Sequence, residues 1–467
     1  MTARLPDRQF FLLSAAFMAS ALSACAFAGL AYELGPTVAL SLVVALAVVA
    51  AVFYAPAAGV CLALLVAPVD YLATGGNASV SVTPSEGILF ITALSAAPRT
   101  LSTITASRIP AALYGFIALL IFSVIGIFVA LDTFTVVRIV IDWLAFGMVA
   151  LFVSQLPLGS VKAVALSLAI SGGILGATAL GNLSEQKAIA GGAIVSNRAA
   201  ASFAHPTSLA LFLILSFPLA FAFGLRGPKR WRIPMMICAI VSLLGLMLTQ
   251  TRGSMIGAGV GLIWMMWRWQ PFRRFAAIAL GFIVLTAIFN VGSVASDESV
   301  GVVSKRLSSL SLDSEGDQRL EIWATTPKII AEHPLFGIGQ GNFPTVSPNF
   351  GLADVGGIPF DHAHDLFLNI AVELGLPALL ALLFTIAALF RSARNALRDR
   401  AGPLYPYAVA VSASLLALLV NSITEYPLRQ NLIMATIMIV IGLLLALERL
   451  SREQPATPAE PEPQPGL

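Results

Sequence analysis

The sequence predicts an all-α polytopic membrane protein of about 12–14 spanning helices with one large, partly helical loop outside the bilayer. Three observations predict it. Of 467 residues, 58% are hydrophobic and only 11% are charged, at a mean hydropathy of +0.89, whereas a soluble domain carries about 25% charged residues. The apolar residues come in repeated long runs, which mean helices, because a helix satisfies its own backbone hydrogen bonds in lipid. One long stretch breaks the pattern. From Gly292 to Leu366 the chain is dotted with charge, and it ends in Asp361-His362-Ala363-His364-Asp365, directly against the apolar run that begins at Leu366.

Taken in order, the apolar runs place spans at 9–31, 36–53, 56–72, 84–98, 109–131, 134–154, 159–180, 205–224, 233–250, 253–267, 275–292, 366–390, 404–424 and 432–447. Those at 56–72, 84–98 and 253–267 fall short of the roughly 20 residues that cross a hydrocarbon core, so tilted, broken or re-entrant segments reduce the total toward twelve. The first run, after Arg4 and Arg8, exceeds a signal-peptide core and reads as a span. The domain plan is an N-terminal bundle (1–292), a large outer loop (293–365), C-terminal spanning helices (366–450) and a proline-rich tail (451–467) expected to be disordered. The cysteines Cys25, Cys61 and Cys238 all lie in apolar runs and read as small buried hydrophobes.

Charge sets the orientation. Alternating the spans from an inside start gives the cytoplasmic side Arg226, Lys229, Arg230, Arg232, Arg268, Arg273, Arg274, Arg391, Arg394, Arg398, Arg400, Arg449 and Arg452, among others. The short outer loops receive only Lys187, Arg198, Arg252 and Arg429. This asymmetry puts both termini in the cytoplasm and the charged loop outside.

Within that loop, Ser314-Glu315-Gly316-Asp317 has a capping serine followed by acids, the signature of a helix start. Thr326-Pro327 offers a restart, since proline is tolerated at a first helical position, and His333-Pro334 ends the helix. Gly337, Gly339 and Gly341 predict a flexible turn. This turn lacks the lysine and the preceding strand of a nucleotide loop. Any synthesis outside the membrane must therefore draw on energy stored in a substrate.

Few side chains suit chemistry. Arg252, in the tight turn Thr249-Gln250-Thr251-Arg252-Gly253-Ser254, is either an interfacial arginine or an anion clamp, because a guanidinium offers paired donors to phosphate. Arg319, at the start of the loop helix, has the same two readings. Arg198 and His205 flank another outer mouth and read as structural support rather than as catalysts. His364 is the candidate for proton transfer from a hydroxyl, with Asp361 or Asp365 to orient it and His362 in support. Two histidines one residue apart also suggest zinc, but no third ligand has suitable spacing, so no metal and no cofactor are expected. A transporter would carry its charges inside the spans; only Arg138 and Asp142 fit, four apart on one helix and able to pair with each other.

Three separated stretches resemble the O-antigen ligase and polymerase superfamily of bacterial envelope glycosyltransferases. They are Thr251-Arg252-Gly253; Arg319-Leu320-Glu321-Ile322-Trp323 with His333-Pro334-Leu335-Phe336-Gly337-Ile338-Gly339 and Gly341-Asn342-Phe343; and His364-Asp365-Leu366-Phe367-Leu368 with Glu373-Leu374-Gly375-Leu376. The likeness covers roughly residues 195–447. His364 and Gly375 keep the ligase register, which His362 does not; Asp365 and Ala378 depart from it. The resemblance implies a GT-C-like enzyme of the Gram-negative inner membrane with a periplasmic active site. It implies metal-independent, inverting transfer of O-antigen from undecaprenyl diphosphate to a sugar hydroxyl of lipid A-core, in lipopolysaccharide biosynthesis. His364 would be the base and Arg252 and Arg319 would bind the donor diphosphate. The implied partners are these two lipid-linked substrates and membrane lipids, with no nucleic acid. The related branches are the O-antigen polymerase and the protein O-oligosaccharyltransferase.

Overall fold

The computed structural model describes residues 36–70, 82–104, 109–181, 189–190, 193–194, 199–203, 205–274, 314–353 and 357–453. The expected spans at 9–31 and 275–292, Arg198, the first part of the large loop, Cys25 and most of the tail lie outside them.

The chain is a multi-pass helical membrane protein. Its helices are α1 (Pro36–Tyr54), α2 (Pro56–Val66), α3 (Pro84–Ile104), α4 (Ala111–Gly126), α5 (Thr133–Ser154), α6 (Leu158–Gly181), α7 (Pro206–Arg226), α8 (Lys229–Leu248) and α9 (Arg252–Arg268). After the large loop come α10 (Ser314–Glu332), the short α11 (Phe343–Val346), α12 (Leu366–Leu374), α13 (Leu376–Ala396), α14 (Tyr405–Asn421) and α15 (Asn431–Glu453). A two-residue antiparallel ladder, β1 (Ile189–Ala190) with β2 (Ala193–Ile194), lies between α6 and α7. Among the described residues, α5, α6, α7, α8, α13 and α15 are long and apolar enough to cross a bilayer; α2, α4 and α14 are shorter apolar helices.

Two helices form the centre. In α7 and α15, 94% of the most apolar window is buried, against 28% in α8 and α13, which turn most of their surface outward. A helix apolar all round and covered on every side must be a bundle core, and one apolar but uncovered must face lipid. Lipid supplies no hydrophobic force between helices, so close approach of small residues holds them together. A Cβ on Gly176 of α6 would lie 2.6 Å from the Val241 carbonyl of α8, and one on Gly245 would lie 2.8 Å from Gly176 Cα.

The connections alternate between the two ends of the bundle. The turns and helix ends carrying Lys229, Arg230, Arg232, Arg268, Arg394, Arg398 and Arg449 gather at one end, where the Arg449 guanidinium donates to the carbonyls of Ser154 and Leu156. At the other end, Asp132 N donates to Asn342 Oδ1 and Leu376 N donates to the Pro334 carbonyl, which seats the loop between α10 and α12 on the starts of α5 and α13.

Three expectations change. The run 366–390 is not one span. It breaks at Gly375, whose φ of +91° a side chain resists and where a Cβ would lie 2.3 Å from the Leu335 carbonyl. Thr326-Pro327 does not restart a helix: α10 runs through Pro327, and the Thr326 hydroxyl donates to the Ile322 carbonyl. Gly337, Gly339 and Gly341 form a packed turn rather than a flexible one. All three have positive φ, and Gly337 lies so close to Glu373 that a Cβ would come within 2.3 Å of its carbonyl carbon. Ile338 N and Gly339 N donate to the carbonyls of Val372 and Glu373 at 3.0 Å each, so the turn is bonded onto α12. We expect Gly375→Ala to destabilise the protein by about 1–3 kcal/mol, the usual cost of a strained backbone residue. Thermal unfolding in detergent measures this, and an unchanged midpoint contradicts it.

Candidate active site

The site is assembled at the end of the bundle opposite the arginine-rich turns. The backbone around the histidines is fixed from three sides. Trp323 Nε1 of α10 donates to the Ala363 carbonyl at 3.0 Å, Ala363 N donates to Asn369 Oδ1 of α12 at 3.0 Å, and Leu366 N donates to the Ser422 carbonyl at 2.9 Å. Held this way, His364 adopts φ +52°, a left-handed conformation uncommon outside glycine. Strain of this kind persists where surrounding structure over-determines it, often at functional positions.

The two histidines differ in access. Their rings lie 4.2 Å apart, but the His362 side chain is 7% exposed and that of His364 is 25% exposed. His362 Nε2 lies 2.9 Å from Glu425 Oε1, and His364 Nδ1 lies 3.8 Å from the same oxygen. Arg319 joins them: Nη1 donates to the Thr424 carbonyl at 3.1 Å, and Nη2 is 3.7 Å from Glu425 Oε2. Arg252 opens α9, and its neighbours fix that helix start on the same turn. Ser254 Oγ donates to Asn421 Oδ1 at 2.9 Å, and a Cβ on Gly253 would lie 2.4 Å from Thr424 Oγ1. The glycine after Arg252 is what allows α9 to begin against Thr424.

The expected supporting carboxylates are placed elsewhere, and this corrects the sequence reading. Asp361 pairs with Arg429 at the partly exposed rim. Asp365 caps α12, its Oδ1 accepting from Leu368 N at 2.7 Å. Neither stands beside the His364 imidazole as an orienting group. His205 is the N-cap residue of α7, where its carbonyl accepts from Ser208 N and Leu209 N.

The sequence reading missed Glu425. It stands in the short turn between α14 and α15, 9% exposed. A lone acid in the outer turn between the last two apolar runs was the available signal. Burial works against its charge, but the hydrogen bond with His362 and the closeness of both imidazoles outweigh burial and hold its carboxyl well below the usual range. Burial, opposed by the hydrogen bond and charge of Glu425, lowers His362 from the ordinary imidazole value. Glu425 also supplies the third ligand type that a metal site would need. Donor atoms of His362, His364 and Glu425 all lie within 4.8 Å of one another. The nearby Arg319 guanidinium argues against that use, because a positive charge already faces this carboxylate.

Glu373 has a structural explanation. It is fully buried, and desolvation pushes its carboxyl up to about 7, opposed by backbone N–H groups of Gly341 and Phe343. It anchors the glycine turn to α12. Within the bundle, Asp142 is also buried, faces Arg138 and hydrogen-bonds with Asn431.

Beneath the site lies an apolar cavity of about 540 Å³. Leu366, Ser422 and Leu428 line the end next to the histidines, Phe116, Trp143 and Leu415 line its length, and Arg268 and Arg394 stand at the far end. One of its walls is α9, whose 17 residues extend about 26 Å at 1.5 Å per residue, short of the roughly 30 Å of a hydrocarbon core.

Residues 237–383, from α8 to the middle of α13, match the family described as O-Antigen ligase. That stretch contains Arg252, Arg319, His362 and His364. No curated protein sequence matches the chain significantly. A chain from a solved structure, described as "Structural coordination of polymerization and crosslinking by a peptidoglycan synthase complex", aligns at 18% identity and a TM-score of 0.44, covering 73% of this chain and 98% of that one; a likeness this loose carries no argument. The matched family works as glycosyltransferase-type enzymes on lipid-linked glycan and acceptor substrates. Residues 237–383 of this multi-pass membrane protein are thus similar to the O-antigen ligase family.

Proposed function

We propose that this protein is an O-antigen ligase. It transfers polysaccharide from undecaprenyl diphosphate to a sugar hydroxyl of lipid A-core at the periplasmic face of a Gram-negative inner membrane, without metal and with inversion. One observation carries the reading: a partly exposed histidine and two arginine-bearing elements meet at a single turn, directly above an apolar cavity. The orientation rests on the arginine-rich turns, which by the positive-inside tendency belong in the cytoplasm and leave the site outside.

The chemistry follows from the groups present. The apolar cavity suits the diphosphate-proximal part of the donor's isoprenoid tail, which leaves the diphosphate at the level of Arg319 and the start of α9. Diphosphate is a good leaving group whose developing charge needs neutralising, and guanidinium groups supply this bidentately. The acceptor hydroxyl attacks the anomeric carbon from the opposite face. Its proton passes to His364 as the new C–O bond forms and the bond to the diphosphate breaks with its electron pair. The energy is carried in the donor, so no nucleotide takes part.

Purified protein with undecaprenyl-diphosphate-linked glycan and lipid A-core, free of nucleotide, tests this. We expect ligated product, and EDTA should leave the rate unchanged. Joining of one lipid-linked glycan to another instead makes the enzyme an O-antigen polymerase, and transfer to serine or threonine of a protein makes it a protein O-oligosaccharyltransferase. Loss of activity to EDTA with recovery on adding a divalent ion makes His362, His364 and Glu425 a metal site. For topology, a cysteine in place of Ser308 should react with an impermeant reagent in intact cells; reaction only in opened cells reverses the orientation.

A further inference from the structure

We infer that Glu425 is the positioning carboxylate of the His364 base, sorting the two histidines into opposite tautomers so that only His364 presents a bare ring nitrogen to the acceptor. The inference rests on the glycan-transfer reading above and deepens it.

Geometry carries the argument. Glu425 Oε1 lies within 2.9 Å of His362 Nε2, accepts from Tyr426 N at 3.2 Å and stands 3.8 Å from His364 Nδ1. His364 Nδ1 is otherwise buried without a hydrogen-bond partner. A carboxylate only accepts, and a neutral imidazole carries one N–H. The N–H that each ring turns toward Glu425 therefore fixes where its lone pair points. His362 gives Nε2–H and keeps a bare Nδ1, which is buried and has no partner. His364 gives Nδ1–H, and a small ring rotation closes the remaining gap. Catalytic hydrogen bonds are often long before substrate binds. Its Nε2 is left as the base.

In the transfer step the acceptor O–H proton moves to His364 Nε2, the acceptor oxygen bonds to the anomeric carbon, and the diphosphate leaves with the electron pair of the broken C–O bond. The imidazolium then holds two N–H groups, one of them directed at Glu425, whose charge stabilises it. Glu425 is also tied to the donor side, since Arg319 contacts both its carboxylate and the preceding carbonyl. One buried residue thus sets the position of the base against the groups that hold the leaving group. Asp361 and Asp365 are engaged elsewhere.

The chain has four histidines, so ¹⁵N-histidine NMR of the full-length protein, with His205→Gln and His333→Gln to thin the spectrum, reads both tautomers directly. We expect His362 protonated at Nε2 and His364 at Nδ1. In Glu425→Gln, His364 should lose its Nδ1–H preference, and turnover should fall about 10²-fold or more with little change in KM for the donor. Glu425→Asp should recover at least a tenth of wild-type turnover. Wild-type His364 protonated at Nε2 overturns the inference, as does Glu425→Gln turnover within threefold of wild type. Should Glu425→Gln fail to insert, the wild-type spectrum alone decides. Should the wild-type protein transfer no glycan, the functional reading fails, while the spectrum still decides the tautomers.

Discussion

His364→Ala is expected to abolish detectable glycan transfer while the protein still inserts and still binds its donor. General-base assistance is worth about 10²–10⁴ in rate, and no neighbouring group replaces it. Asp361 and Asp365 are committed to Arg429 and to the cap of α12, and the His362 ring lies behind Glu425 with its side chain 7% exposed. His362→Ala should be the milder change. It removes one hydrogen bond to Glu425 and the ring packed 4.2 Å from His364, so it loosens the base without removing it. Both purified variants, assayed side by side at saturating donor, test this. Near-wild-type turnover in His364→Ala with a dead His362→Ala reverses the roles. Activity in both moves the base elsewhere.

The second large effect is expected at Arg319. Its guanidinium reaches Glu425 with one nitrogen and the Thr424 carbonyl with another, and its side chain is still 34% exposed at the mouth. On the proposed function, Arg319→Ala removes a donor to the leaving diphosphate, and it also uncovers a buried carboxylate. Loss of one preorganised donor to developing charge costs about 10²–10³ in rate. Arg319→Lys should recover little, because an ammonium is a point charge and cannot hold Glu425 and a phosphate oxygen in one plane. Arg252→Ala should weaken donor binding, and Arg252→Lys should again fall short of full rescue. Equilibrium binding of the lipid diphosphate to both alanine variants is the check. Unchanged affinity in both removes the clamp.

The sequence by itself determined the architecture and much of the cast. Lipid is an unforgiving solvent, and only long apolar runs satisfy it, so the spans near α5, α6, α7, α8 and α15 were readable within a few residues. Arg252, Arg319 and His364 stood out as candidates because a charge or a histidine at the edge of an apolar run is costly and conspicuous. Other features were decided by tertiary structure alone. The break at Gly375 follows from the approach of the Leu335 carbonyl, a contact between distant segments. The glycine turn is packed because α12 lies against it and takes its N–H groups. Asp361 and Asp365 were plausible partners for His364 by nearness in sequence. The left-handed turn at His364 aims the ring instead at Glu425, 61 residues further on. Spacing along a chain constrains neighbours on one helix, but a site built from three turns at one end of a bundle is set by how the helices between them pack.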